Sequence, residues 1–234
     1  MVFGGSGVIG GAIATAFGQH GWTVGIHYHQ HQLAAKETAT SVHEAGGKGY
    51  LYQADVANFS QVRDTVQDFL QVHHGLNVLV WAVGVGSSTL LIKTSPEDWT
   101  RTLQTNLTGA YHVLKAIAPI FEQQKDGVVI LVGSLSAEQG REGQAAYTAS
   151  KAGLIGLMRA AAHEWGGWNI RVNVIFPGWH RSPLSEPGFH SAMELRTHTL
   201  NRPPSLTYVA TSVYHLALSP DTSGQVWNLD SRIW

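Results

Sequence analysis

The chain opens MVFGGSGVIGG, residues 1–11, and the reading of this stretch decides the fold. Gly5-Ser6-Gly7-Val8-Ile9-Gly10 satisfies G-x-G-x-x-G, after a short apolar run and before a run with helical spacing. In a strand–turn–helix setting such glycines let a pyrophosphate approach the backbone N–H groups of a helix N-terminus. Gly4, Gly5, Ser6, Gly7, Val8, Ile9 and Gly10 are therefore the predicted phosphate-binding residues. Only Met1, Val2 and Phe3 precede the turn, where a full strand is expected. Two readings follow: a start upstream of Met1, or a shortened strand and a less stable domain.

Outward from this turn, short apolar runs alternate with helix-like stretches. Strands are predicted at Val2–Phe3, Thr23–Tyr28, Gly49–Gln53, Val78–Val83, Val128–Val132, Arg171–Ile175 and Gln225–Leu229. Helices are predicted at Ile9–His20, Leu33–Ala45, Phe59–His73, Pro96–Gln123, Ala145–Trp165 and Thr207–Leu218. VLVWAV and VVILV are apolar on both faces, as in a parallel sheet covered by helices on both sides. The fold class is therefore α/β: one Rossmann-like, doubly wound parallel sheet of about seven strands, in a single domain over residues 1–234. The proline-containing stretch Pro177–Pro204 is too long for an ordinary connection and is either a functional lid or a disordered excursion; residues 179–204 are taken as a substrate lid.

At the exit of the second strand, TVGIHYHQHQ carries no carboxylate before Glu37. NAD-binding strands of this kind end in Asp or Glu, which holds the ribose 2′-OH. Its absence here favours NADP(H) over NAD(H), with His29 and Gln30 placed to donate to a 2′-phosphate. His27, His29 and His31 alternate, but a metal site on the rim of a cofactor pocket is the poorer reading, and no metal is expected.

The composition excludes other classes. With 44% hydrophobic and 13% charged residues the chain is globular, and a net charge of −1 offers nothing to nucleic acid or an anionic membrane. The lack of cysteine removes disulfides, thiolate metal sites and Cys nucleophiles together, which fits a cytoplasmic protein. Glycines interrupt the uncharged start of the chain, and no export or transmembrane segment is apparent.

Chemistry is concentrated in GSLSAEQGREGQAAYTASKAGLIGLMRAAAHEW, residues 133–165. Tyr147 and Lys151 share one helix face at i, i+4. An ammonium beside a phenol favours phenolate, so Lys151 is expected to lower the Tyr147 pKa and make it a proton donor near neutrality. Ser134 ends an apolar strand upstream, where a hydroxyl can hydrogen-bond a substrate oxygen.

Taken together, the motifs resemble the short-chain dehydrogenases/reductases along essentially the whole chain, with the 3-oxoacyl-thioester reductases the nearest group. The matching pieces are FGGSGVIG (3–10), Asp55-Val56, WAVG (81–84), EDWTRTLQTNLTGAYHV (97–113), Ser134 with Tyr147-x-x-x-Lys151, RVNVIFPG (171–178) and SGQVWNLD (223–230). This resemblance implies a catalytic set of Asn106, Ser134, Tyr147 and Lys151. Ser134 and Tyr147 would hold a carbonyl oxygen while nicotinamide delivers hydride, with Tyr147 giving the proton. Lys151 would also bind the nicotinamide ribose, and Asn106 would position a proton-relaying water. Asp55, with Val56, would meet the adenine, Ala82 and Gly84 would keep the backbone beside the cofactor slim, and Pro177-Gly178 would border the nicotinamide.

Departures from the family pattern are specific. Phe3 replaces a common Thr, Val8 a common Gly, and Gly7 stands where NADP-dependent members often carry Arg. Trp81-Ala82-Val83 replaces Asn-Asn-Ala, losing side-chain hydrogen bonds that tie the central strand to its neighbours. Trp168 stands where carrier-protein reductases tend to have Arg, which speaks against a carrier-protein partner. In the lid, Trp179 and Leu184 are predicted substrate contacts beside Ser134 and Tyr147, with His180, Arg181, Phe189 and Met193 nearby. The helices at 96–123 and 145–165 are apolar over wide faces, which sheet packing would use equally; the resemblance implies that they pair across the interface of a homodimer or homotetramer. The expected activity is NADPH-dependent reduction of a small ketone or 3-oxoacyl thioester. An NAD-dependent dehydrogenase of a hydroxylated small molecule, or a dinucleotide-sensing protein without turnover, are the alternatives.

Overall fold

The computed structural model of the chain describes residues 1–182 and 198–232. One seven-stranded sheet runs in the order β3-β2-β1-β4-β5-β6-β7, and every neighbouring pair is parallel. The strands are β1 (Val2–Phe3), β2 (Thr23–Tyr28), β3 (Lys48–Gln53), β4 (Val78–Trp81), β5 (Gly127–Val132), β6 (Ile170–Phe176) and β7 (Val226–Asn228). Helices among the described residues are α1 (Val8–Gly18), α2 (Gln32–Glu44), α3 (Phe59–His73), α4 (Pro96–Leu103), α5 (Gly109–Gln124), α6 (Ser136–Gln139), α7 (Ala145–Trp165) and α8 (Leu206–Leu218).

Strand alternation builds two cores. Val128 and Ile130 of β5 face a layer with Ile13, Phe17 and Val213 from α1 and α8. Val129 and Leu131 face the other way, onto Ile117, Phe121 and Leu154 of α5 and α7. Every residue of β5 is buried, because a central parallel strand covered on both faces has no solvent side.

Chain order reverses between β1 and β4, and such a switch point opens a crevice at the C-terminal strand ends. The short β1 is stitched into its place, with Val2 beside Ile26 and Val80 and Phe3 beside Trp81. Two of the departing residues, Phe3 and Trp81, pack together here. Phe3 stacks on His27 at 4.6 Å and tilts against Trp81 at 6.2 Å. Aromatic packing thus joins β1, β2 and β4, and the Trp81 indole nitrogen has no hydrogen-bond partner among the described residues.

The predicted helix 96–123 is two helices. Ser95 caps α4 by accepting from the Asp98 amide, with Pro96 in the first turn. A π-helical turn at Gln104–Thr108 then separates α4 from α5. A widened turn of this kind inserts an extra residue into the helical ladder and often marks a functional position; here it holds Asn106. The predicted lid is described only at its flanks, where His198 bridges to Arg232; Leu184, Phe189 and Met193 lie outside the described residues. No helix among the described residues is long and apolar enough to cross a membrane.

Candidate active site

A cleft of about 530 Å³ runs from the start of α1, past the ends of β4 and β5, to Pro177 and Trp179. Gly7, Val8, Ile9 and Gly10 line one end, and Ser134, Tyr147 and Lys151 line its floor.

Steric facts explain the glycines. Gly4 has φ +81°, and a Cβ there would stand 2.7 Å from the Ala82 carbonyl carbon. On Gly10 a Cβ would lie 2.2 Å from the Gly4 oxygen. Gly7 is the N-cap of α1 and offers no side chain to the helix's first amides. Those amides open on the cleft at the positive end of a helix, a geometry suited to an anion. The turn therefore fits a dinucleotide pyrophosphate. Ala82 and Gly84 form the opposite wall, where a Cβ on Gly84 would come within 3.4 Å of the Lys151 Nζ.

Ser134 lies two residues beyond the end of β5, and its Oγ accepts from the Ser136 amide at 3.2 Å. That local turn, which opens α6, sets the hydroxyl beside Tyr147, where it acts to lower the phenol's pKa. Lys151, 3% exposed, donates from Nζ to the Val132 carbonyl at 2.9 Å and to that of Val83 at 3.4 Å. Burial lowers its pKa from 10.5 to about 8. Its Nζ stands 5.7 Å from the Tyr147 ring centroid.

The Tyr147 phenol departs from the sequence expectation. Burial raises its pKa, and the neighbouring Ser134 hydroxyl only partly opposes this. The carbonyls of Val132, at the end of β5, and of Val83, just beyond β4, hold the Lys151 ammonium, and burial is the largest influence on the phenol. Tyr147 is consequently a phenol that keeps its proton at neutral pH.

Asn106 is fully buried and does not line the cleft. Its Oδ1 accepts from the Val85 amide at 2.8 Å, and its Nδ2 donates to the Val85 carbonyl at 2.8 Å and to Ser150 Oγ at 3.0 Å. Both amide protons are committed. The side chain braces the segment after β4 that walls the cleft.

The three histidines separate. His27, on β2, is buried and braces the turn. The strand ends at Tyr28, so alternation no longer governs His29 or His31. His29 is exposed away from the cleft lining, whereas His31 lines it beside the glycine turn. Asp55 and Val56 are outside the lining as well: Asp55 Oδ1 accepts from the Ala57 amide at 2.9 Å, and Val56 is buried in the core. Among the described residues no group of three His, Cys, Asp or Glu is arranged to hold a metal ion.

At the other end Gly178, with φ +77°, turns the chain against Pro204. Trp179 lies between two guanidiniums, Arg141 at 4.3 Å and Arg232 at 5.8 Å from its ring. Asp230 holds Arg232 through Nε at 2.8 Å. Sequence reading missed His31, Arg141 and Arg232. Arg232 comes from beyond the last strand, and no local pattern marks it.

Comparison with known proteins agrees with this geometry. The family model described as short chain dehydrogenase matches residues 1–191. A 3-oxoacyl-(acyl-carrier-protein) reductase of Mus musculus is 36% identical, covering 99% of this chain and 96% of the relative. One from Synechocystis sp. is 32% identical, covering 98% and 94%. The solved structure of levodione reductase superposes with a TM-score of 0.94 over 98% of this chain and 95% of its own, at 21% identity, a likeness of fold. The chain belongs to the short-chain dehydrogenase family and is an NAD(P)-dependent oxidoreductase acting on CH–OH and C=O groups.

Proposed function

We propose that this cleft reduces a ketone to a secondary alcohol with NADPH, and that its substrates are 3-oxoacyl thioesters or similar small carbonyl compounds. The observation that carries the reading is the Ser134–Tyr147 hydroxyl pair backed by Lys151, on the floor of a cleft that continues to the α1 N-terminus. When bound, the nicotinamide supplies the hydride. This chain's residues do the rest.

In this reading the hydroxyls of Ser134 and Tyr147, both on the cleft lining, hold the substrate oxygen, where negative charge gathers during reduction. Donors fixed before the reaction stabilise that charge without reorganising. Tyr147 keeps its proton until the oxygen needs it, so its raised pKa suits a donor in the reductive direction. Lys151 is held from behind by Val132 and Val83, which leaves ammonium donor capacity for a ribose hydroxyl. Asn106 acts at one remove, by fixing Val85 and the cleft wall.

The choice of NADPH rests on the exit of β2. His29 and Gln30 stand there without a carboxylate, and His31 borders the turn within the cleft. Imidazole donors accept a 2′-phosphate where an Asp or Glu would repel it. The relatives' names support the substrate class. Trp179 supplies an aromatic wall beside the reacting centre. In this reading the chain works as one domain in the cytoplasm, as a homodimer or homotetramer. Incubating the protein with NADPH or NADH and a panel of ketones tests the proposal: NADPH consumption matched by alcohol formation supports it, and tight dinucleotide binding without turnover on any ketone overturns it.

A further inference from the structure

We propose that His27 is the positioning residue of the glycine-rich turn: its imidazole holds the Gly4 amide and thereby sets the α1 amides toward the dinucleotide. This rests on reading the cleft as a dinucleotide site.

His27 is 2% exposed and lies where three segments meet. Its Nε2 is 3.0 Å from the carbonyl oxygen of Ala54, just beyond β3. A carbonyl can only accept, so Nε2 carries the proton. Nδ1 then has a free lone pair, and it accepts the Gly4 N–H at 3.2 Å. The two hydrogen bonds fix the tautomer, and Phe3 stacked at 4.6 Å fixes the ring plane. Burial, reinforced by the neighbouring His29, outweighs the opposing pull of the Ala54 carbonyl and of Asp55 and keeps the ring neutral. A protonated ring would turn an N–H against the Gly4 N–H.

Gly4 is the residue through which this strut acts. Its carbonyl accepts from the Gly7 amide at 3.0 Å, closing the turn that leads into α1. The same carbonyl packs so closely on Gly10 that no Cβ fits between them. The Gly4 peptide is thereby coupled to the turn and to the first turn of α1, both of which face the cleft. Rotation of that peptide would move the anion-binding amides. His27 is the side chain that holds its N–H.

Two substitutions divide the strut. In His27→Asn, Oδ1 hangs from Cγ as Nδ1 does and can still accept from Gly4, but the side chain is too short for Ala54. In His27→Gln, the longer side chain reaches Ala54, and the Gly4 N–H loses its acceptor. Dinucleotide dissociation constants come from NADPH fluorescence titration, and unfolding temperatures are measured alongside. His27→Asn is expected to bind within about twofold of the wild type and His27→Gln about tenfold more weakly, a factor equivalent to one lost hydrogen bond. Wild-type affinity in His27→Gln, or equal weakening in both variants, would overturn the proposal. If the variants fail to fold, imidazole ¹⁵N shifts of the wild-type protein decide: a neutral Nε2–H ring supports the proposal, and an Nδ1–H or charged ring at neutral pH overturns it. A wild-type protein that binds neither NADPH nor NADH would instead overturn the dinucleotide reading, and this proposal with it.

Discussion

Asn106 and Val85 exchange two hydrogen bonds, each 2.8 Å long, side chain to backbone in both directions. The pairing joins the π-helical turn between α4 and α5 to the segment that leaves β4 and walls the cleft. An asparagine amide matches a peptide group donor for acceptor, and a carboxylate or an apolar side chain does not.

Asn106→Ala should therefore damage both stability and catalysis. Leaving the Val85 N–H and C=O unpaired costs about 2 kcal/mol, equivalent to roughly 4–8 °C in melting temperature for a chain of this size. Because Val85 touches the wall and not the reacting atoms, kcat/KM should fall about tenfold, less than for the hydroxyl residues. A melting curve like the wild type's would show that the brace is dispensable.

Tyr147→Phe should lower kcat by about a thousandfold and leave NADPH affinity nearly unchanged. The ring still packs against the Lys151 stem, and only the proton donor is gone. Turnover near the wild-type rate would mean that another group gives the proton.

The pH profile follows from Lys151 and Tyr147. Burial sets the Lys151 pKa at about 8 and raises that of Tyr147. Reductive kcat/KM should be level near neutrality and decline as pH rises through about 8, where the ammonium behind Tyr147 loses its charge. Alcohol oxidation needs the phenolate instead and should accelerate into the alkaline range. A reductive rate that climbs above pH 8 would contradict this assignment.

Acid stability has a separate origin. Burial lowers the His27 pKa from 6.5 to about 4, so in that window the unfolded chain takes up a proton that the folded chain refuses. His27 therefore makes stability fall as pH drops from 6.5 toward 4, by on the order of 3 kcal/mol over the whole range. Melting temperatures of the wild type and His27→Asn should converge on acidification, since the variant has no such proton to refuse. Parallel curves would assign the loss to other groups.

Cofactor choice can be shifted at His31, which borders the glycine turn. His31→Asp places a carboxylate where the 2′-phosphate is proposed to lie. NADPH affinity should drop at least about tenfold while NADH affinity holds, one charge repulsion being of that order. Equal effects on both dinucleotides would remove the phosphate from this position.

The sheet was legible in the sequence because burial on both faces leaves continuous apolar runs: Val128–Val132 was predicted and Gly127–Val132 is formed. The glycine turn and the Ser134, Tyr147 and Lys151 set were legible as well, being local motifs, and the structure brings them into one cleft. What escaped was set by tertiary contact. Periodicity continues through residues 96–123, yet a π-helical turn interrupts the helix at Gln104–Thr108, where the Asn106 side chain binds Val85. Spacing places Lys151 one turn from Tyr147, but the carbonyls that hold Lys151, and the burial that raises the phenol's pKa, come from the ends of β4 and β5. Three alternating histidines look equivalent, but His27 lies inside β2 and is buried, whereas the strand ends at Tyr28 and His31 lies at the cleft.

The central claim is reduction of a carbonyl by NADPH with Tyr147 as the proton donor. An acetoacetyl thioester, the smallest 3-oxoacyl substrate, is mixed with NADPH and either wild-type protein or Tyr147→Phe, and nicotinamide absorbance and 3-hydroxy product are followed together. The account predicts one hydroxyacyl product per NADPH consumed by the wild type, and almost none from Tyr147→Phe despite intact NADPH binding. Equal rates for the two proteins, or no product from a wild-type protein saturated with NADPH, would contradict it.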